Sequence, residues 1–351
     1  MTLLPTSSLS SRSYIPSPLT TQLPNLSASQ IASLPYRPDH FPGARDVKTS
    51  YGSMRVYEWG EEKGRKIMLV HGDATSSPLW TGVAARLVKR GCRLIVFDLW
   101  GRGYTDSPNV VHDTRIFGLQ LLFAASSSPL PWCTETFSIV GCSGGGGIAM
   151  DFVASFSHLV RNVAIMAPAG LLRDLPGSYK ALRTAAQEGK PEEELRRLLA
   201  TLLDVELEDT SLAREGHEPD VKPSKRGVDS VALQHWQFYY HQGHAASFIS
   251  TLQHGPIQGQ HETWKAACNV LRAKQRAKQR ANAANAINER FVAICGREDW
   301  VVPSEDVRED LDGMMGKDEY VFDVVPGGHS FLLDEAACEQ VVDVLAKEWQ
   351  L

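Results

Sequence analysis

The stretch VGCSGGGGIAM, Val140 to Met150, joins an apolar strand-like lead-in to an apolar helix through one serine and four consecutive glycines. Glycine loses more conformational freedom on folding than any other residue. It is retained where φ must be positive or where backbone must approach something closely. The stretch also spells G-x-S-x-G, from Gly141 through Ser143 to Gly145. That pattern gains meaning only when a strand leads into it and a helix leads out. Both are present: TFSIVG reads as a buried strand, and GIAMDFVASF spaces Ile148, Phe152 and Phe156 four apart. Such a turn leaves the serine hydroxyl exposed at the C-terminal edge of a sheet. Side chains at 141 and 145 would collide with the neighbouring strand and helix. The Gly144 amide, at the helix N-terminus, can donate to a negatively charged oxygen. Ser143 is a candidate nucleophile and Gly144 a candidate oxyanion donor.

Outward from this turn the chain alternates strands and helices. KIMLVHG and RLIVFDLWG are continuous apolar runs ending in glycine, as buried parallel strands do. Between them PLWTGVAARLVKRG has helical spacing and a terminal Gly91. DTRIFGLQLLFAASSS reads as a helix and VRNVAIMAP as a strand. This alternation predicts an α/β fold with a mostly parallel, doubly wound sheet. The rhythm breaks from Leu171 to Asn288, a charged and aromatic helical stretch, and resumes with RFVAICG, YVFDVVPGG and the helix ACEQVVDVLAKEWQ. The expected organisation is an N-terminal arm over 1–40, a first core segment over 41–170, an inserted helical cap over 171–288, and a second core segment over 289–351. The arm is Ser- and Pro-rich, which suits a flexible segment or an extended one lying on the body.

Composition excludes several function classes. Of 351 residues 43% are apolar and 22% charged, and the formal net charge is −5, so the whole chain offers no basic footprint for nucleic acid. The basic run RAKQRAKQRANAANA, from Arg272, has no interleaved aromatic residue and reads as a solvated helix or loop. No apolar run approaches the ~18 residues of a membrane span. The six cysteines lack paired or metal-like spacing and read as free thiols in a reducing compartment. The N-terminal stretch has neither a basic n-region nor a continuous apolar core, so the expectation is a cytoplasmic protein rather than a mitochondrial or secreted one. The sequon at Asn25 then has no consequence.

A serine hydroxyl needs a base, and the base an orienting acid. On this architecture they follow in the order Ser, Asp or Glu, His. GREDWVVP places Asp299 just beyond one strand, with Glu298 as a competing acid, and PGGHSF places His329 just beyond the last. Open α/β sheets build their sites at these C-terminal strand ends. In MLVHGDATSSPLW the amide of Asp73 is placed to be the second oxyanion donor. Its carboxylate is awkward beside a developing oxyanion unless it turns away or meets a cation. His71 breaks the required order and reads as structural, and Cys142 as core packing.

Together HGDATSSPLW, FDLWGRGYTDSP, GCSGG, GREDWVVP and GGHSF resemble the α/β-hydrolase superfamily, in its esterase, lactonase and acyl-hydrolase branch with a helical cap. The resemblance runs from about residue 41 to the end, and DTRIFGLQLLFAASSSPLPW is similar to uncharacterised fungal members. The first loop also looks like that of haloalkane dehalogenases and epoxide hydrolases, but those carry an aspartate nucleophile where this chain has Ser143. The resemblance implies an α/β-hydrolase fold and a cofactor-independent serine hydrolase. Its substrate would be a small, largely apolar ester, thioester or lactone. Acyl transfer, peptide cleavage, ring closure and a non-catalytic receptor remain as alternatives, and no oligomeric state is implied. In the cap, Trp236 and Tyr240 of QHWQFYYHQGHAASF are candidate substrate contacts or ordinary packing residues, and Trp100 is a third candidate contact. His235, His241, His244 and His254 lack a carboxylate or thiolate partner set, so no metal is expected.

Overall fold

The computed structural model describes residues 13–207, 228–281 and 289–351. Its eight-stranded sheet grows from the apolar runs. The strands are β1 (Ala44–Thr49), β2 (Gly52–Gly60), β3 (Lys66–Val70), β4 (Arg93–Phe97), β5 (Phe137–Cys142), β6 (Val160–Met166), β7 (Phe291–Gly296) and β8 (Tyr320–Val325). Their order across the sheet is β8-β7-β6-β5-β3-β4-β2-β1. Strands β3 to β8 are parallel to one another, whereas β2 runs antiparallel to both β1 and β4. The central strands β3, β5 and β7 are buried throughout, which explains their unbroken apolar character.

Helices α1 (Thr81–Lys89), α2 (Thr114–Ser126) and α3 (Gly144–Ser155) follow β3, β4 and β5. The β6–β7 connection carries the insertion: α4 (Gly177–Gln187), α5 (Glu192–Leu202), α6 (Ser230–Tyr240) and α7 (His244–His254). These helices close a small apolar cluster of their own, in which Leu182, Leu199, Phe238 and Phe248 are buried. The next helix, α8 (His261–Ala281), does not belong to the cap. It packs on α3 and on α9 (Ser304–Met315), and buries Trp264 and Cys268 in the main core. Within the expected cap segment 171–288, α8 is thus the crossover helix that returns the chain to β7. The chain ends on α10 (Glu335–Trp349), which packs against α1.

The expected arm is pinned where it is described. Tyr14–Ile15 pairs antiparallel with Ser107–Pro108, and the Ser17 amide donates to Asp106 Oδ1 at 2.8 Å. Tyr36 is fully buried, with its hydroxyl donating to Asp98 Oδ2 at 2.9 Å. Residues 1–12 lie outside the described residues.

As far as Ala281 the basic run forms the second half of α8, and acidic residues of the body pair with its charges. Arg272 and Arg276 pair with Glu319, and Lys278 with Glu289. The Glu289 carboxylate, 2% exposed, also accepts from Arg65, Arg161 and Asn162. Burial alone would raise its pKa, but Arg161, Lys278 and Arg65 outweigh burial and bring it to about 2. None of the helices among the described residues is long and apolar enough to cross a membrane.

Candidate active site

Ser143 sits between β5 and α3 with φ of 52°, a conformation that side chains other than glycine rarely adopt. Surrounding backbone over-determines it. Its amide donates to Met166 O at 2.9 Å, and its carbonyl accepts from Gly146 at 2.8 Å and Ala169 at 2.9 Å. The glycines serve close approach: a Cβ on Gly145 would land on the carbonyl oxygens of Val70, the last residue of β3, and of His71 after it. The packed strand–turn–helix leaves the Ser143 hydroxyl facing a cavity.

Two loops bring the other groups to it. His329, after β8, places Nε2 3.0 Å from Ser143 Oγ and Nδ1 2.8 Å from Asp299 Oδ2, after β7. A carboxylate oxygen accepts, so the proton resides on Nδ1 and Nε2 is free to accept from the serine hydroxyl. Asp299 is anchored in turn, because its Oδ1 accepts from the Val301 and Val302 amides, both at 2.9 Å. Its side chain is fully covered, whereas that of His329 is 24% exposed toward the cavity. Glu298 points elsewhere and accepts from the Gly327 amide at 2.5 Å.

Asp73 lines the cavity beside Ser143, and Gly144 is the first residue of α3, directly after Ser143. The Asp73 loop is held from behind. Buried His71 accepts from the Leu99 amide at 2.9 Å through Nε2, and its Nδ1 lies 2.7 Å from Gly72 O. Burial lowers its pKa to about 3, so it stays neutral and structural. Asp98 accepts from the Ser77 amide and hydroxyl and from the Tyr104 amide, tying this loop to the one after β4. Arg102, fully buried, donates to the Asp73 carbonyl, to Trp100 O and to Ser247 on cap helix α7. It is also the cation nearest the Asp73 carboxylate, 3.5 Å from Oδ1, and lies in the run FDLWGRGYTDSP.

The cavity has a volume of about 190 Å³ and is walled mainly by apolar side chains, among them Leu79, Leu172, Leu252, Ile257, Val301 and Val302. Its aromatic residues are Tyr179 and Phe248. The three aromatic side chains singled out from sequence are not on this wall. Trp236 is buried edge-on against Tyr36 and Tyr104, with its indole donating to Gln22 Oε1 at 3.0 Å. Trp100 is fully buried and donates to Ile116 O at 3.3 Å, and Tyr240 packs against the main core. These residues serve packing, whereas Phe248, on α7, lines the cavity with the Arg102 guanidinium over its ring. His244, Phe248 and Leu252 share one stripe of that helix at i, i+4, i+8, a spacing visible in the sequence.

The cap histidines are dispersed onto backbone carbonyls: His235 on Asp204, His241 on Thr105 and His244 on Gly101. Among the described residues no three His, Cys, Asp or Glu side chains gather as a metal site. All six cysteines are free, and burial holds the Cys142 thiol far above its usual range, which suits packing rather than reaction.

A serine on a strand–turn–helix elbow, beside an imidazole and a carboxylate delivered by later strands, can act as a nucleophile toward a carbonyl. The comparisons agree with this architecture. Carboxylesterase CesB of Bacillus subtilis superposes with a TM-score of 0.60 at 15% identity, over 92% of this chain and 94% of that one, a likeness of fold. An uncharacterized protein of Mycobacterium tuberculosis is 30% identical over 139 residues, 39% of this chain and 38% of its own. A serine hydrolase-like protein of Dictyostelium discoideum is 31% identical over 157 residues, 42% of each. The chain thus spans less than half the length of these last two relatives. A family model for the alpha/beta hydrolase fold matches residues 66–336, most of the chain, and with the strand order above it makes this protein a member of the α/β-hydrolase family.

Proposed function

We propose that the protein is a serine hydrolase cleaving a small, largely apolar carboxylic ester, thioester or lactone. The observation that supports this best is the unbroken hydrogen-bond chain from Asp299 through His329 to Ser143 at the cavity. In this reading His329 Nε2 takes the proton as Ser143 Oγ attacks the carbonyl carbon. Asp299 holds the tautomer and stabilises the imidazolium. The tetrahedral oxygen accepts from the Asp73 and Gly144 amides, where donors can contribute on the order of 10²–10³ in rate. His329 then returns the proton to the leaving alkoxide or thiolate. Water repeats the sequence on the acyl-enzyme and releases a free acid.

The cavity volume of about 190 Å³ favours a short acyl group, since drug-sized ligands occupy roughly 300–1,000 Å³. A panel of p-nitrophenyl esters and lactones, with the acid product quantified in plain buffer, tests the reading. Turnover should peak at short chains, and free acid should match the phenol released; acyl transfer to an added alcohol without acid release would contradict hydrolysis.

Phe248 should set selectivity, and Trp236 stability. Phe248→Ala deepens the cavity and should move the optimum toward longer acyl chains. Trp236→Ala empties a buried site, costs about 3–5 kcal/mol of stability, and should leave the chain-length ranking unchanged. Melting curves and the same ester panel check both. A shifted ranking in Trp236→Ala would restore it as a substrate contact.

A further inference from the structure

An ester has two halves, one on each side of the reacting carbonyl, and the cavity has room for one. Its volume, about 190 Å³, falls below the roughly 300–1,000 Å³ of ordinary small-molecule sites. A groove of about 350 Å³ shares its wall. Leu172, Leu175 and Pro176, in the connection from β6 to α4, and Val301 and Val302, after β7, line both spaces. Among the described residues no hydrogen bond joins one of these stretches to the other. The groove adds Leu171, Val307 and Trp300, which at 69% is the most exposed large apolar side chain among the described residues.

One carboxylate fixes the side of Ser143 on which this wall stands. Asp299 holds His329 through Oδ2 and the Val301 and Val302 amides through Oδ1. The wall is therefore the one beside the imidazole, and a departing oxygen or sulfur must lie within reach of that imidazole to receive its proton. Phe248 and Leu252, on the cap, line the cavity but not the groove. Charge narrows the occupant further. The charged side chains of the groove are Arg173, Asp174 and Asp306. Arg173 pairs with Asp306 at 3.2 Å and with Glu309 at 2.6 Å, so among these lining residues no cation is left over for an anionic ligand.

We propose that the groove is the leaving-group site, and that the substrate is an open-chain ester or thioester joining a short acyl group to a bulky, uncharged alcohol or thiol. This rests on the serine-hydrolase reading, which keeps the acyl half in the cavity. The leaving group passes between Leu172 and Pro176 on one side and Val301 and Val302 on the other, and its apolar face covers Trp300. A flat ring suits that contact best, because aromatic pairs gain beyond the area they bury. A lactone fits poorly, since its leaving oxygen stays tied to the acyl chain and cannot carry a group into the groove.

The test compares kcat/KM for methyl acetate, 2-naphthylmethyl acetate and a carboxylate-bearing naphthylmethyl acetate, each normalised to its rate of hydroxide hydrolysis. The parent should favour the uncharged naphthylmethyl ester over the methyl ester by about tenfold or more, the scale of burying an aromatic group, and the carboxylate should abolish most of that gain. Trp300→Ala should lower the naphthylmethyl preference several-fold while keeping the parent's melting temperature, because the side chain it removes is largely exposed. A parent ratio near one overturns the proposal, as does an undiminished ratio in Trp300→Ala. A ratio that falls in Phe248→Ala but not in Trp300→Ala would place the alcohol in the cap cavity instead, and equal turnover of the carboxylate-bearing ester would overturn the uncharged assignment. The parent ratio decides alone if Trp300→Ala fails to fold. Ester turnover without any preference for the bulky alcohol would sink only this inference, whereas no turnover of any ester and no fluorophosphonate adduct would sink the underlying reading.

Discussion

Asp299→Asn should cut turnover on the best ester by on the order of 10⁴-fold, with circular dichroism and melting temperature close to the parent's. The fold should survive because Asn retains an oxygen in place of Oδ1, which accepts from the Val301 and Val302 amides. The loss arises at the other atom. An amide NH₂ facing His329 Nδ1 donates where the carboxylate accepted, so the ring proton moves to Nε2 and the base facing Ser143 is gone. Four decades correspond to roughly 5.4 kcal/mol of transition-state stabilisation. Glu298→Gln is the control: Glu298 meets the Gly327 amide rather than the imidazole, and a glutamine oxygen can replace it. Near-parent turnover is expected for that variant. A dead Glu298→Gln beside an active Asp299→Asn would reverse the assignment of the acid.

The protein should also lose stability steeply in mild acid. His71, His112, His241 and His244 are buried, and in each burial, the largest cause, lowers the pKa: to about 3 for His71 and His112, to about 4 for His241, and well below the usual value for His244. The unfolded chain binds protons on these groups near pH 6.5, and the folded chain does not until far lower. Their contribution is therefore complete above the unfolded pKa and drains as pH falls toward the folded values. Each imidazole gives up on the order of 1 kcal/mol between about pH 7.5 and about pH 5.5, and the set a few kcal/mol. Asp151 works the other way, since burial raises it to about 6 and its protonation favours the folded state. Glu289 contributes little over this window, because its depressed pKa costs stability only below the ordinary glutamate range. Urea midpoints at the two pH values check this, and equal midpoints would mean that the imidazoles are not held neutral by the fold.

What the sequence made legible was what local pattern determines. Unbroken apolar strands between glycines marked the parallel sheet, and three chemical side chains lay directly after strands, where backbone geometry alone delivers them to one edge. The missed elements depend on distant partners. Strand β1 carries Arg45, Asp46 and Lys48 on an edge whose exposure alternates, so it lacks the apolar run that identified the others. The two-residue ladder at Tyr14–Ile15 is too short for any period. Helix α8 is polar enough to pass for cap, yet one stripe of it, with Trp264 and Cys268, completes the main core. The aromatic residues of the cap failed for a related reason. The sequence named Trp236 and Tyr240 as candidates, whereas the residue of that stretch lining the cavity is Phe248, which only the packing of α6 and α7 reveals. Arg102 was visible as a residue, but its pairing with Asp73 requires the loops after β3 and β4 to meet.

The central claim is that Ser143 is the nucleophile, activated by His329. Intact-mass and peptide mapping after reaction with a fluorophosphonate test it most directly. One adduct should form, on the peptide containing Ser143, and Ser143→Ala should remain unlabelled while keeping the parent's melting temperature. An adduct on another residue, or labelling and ester turnover that persist in Ser143→Ala, would contradict the account.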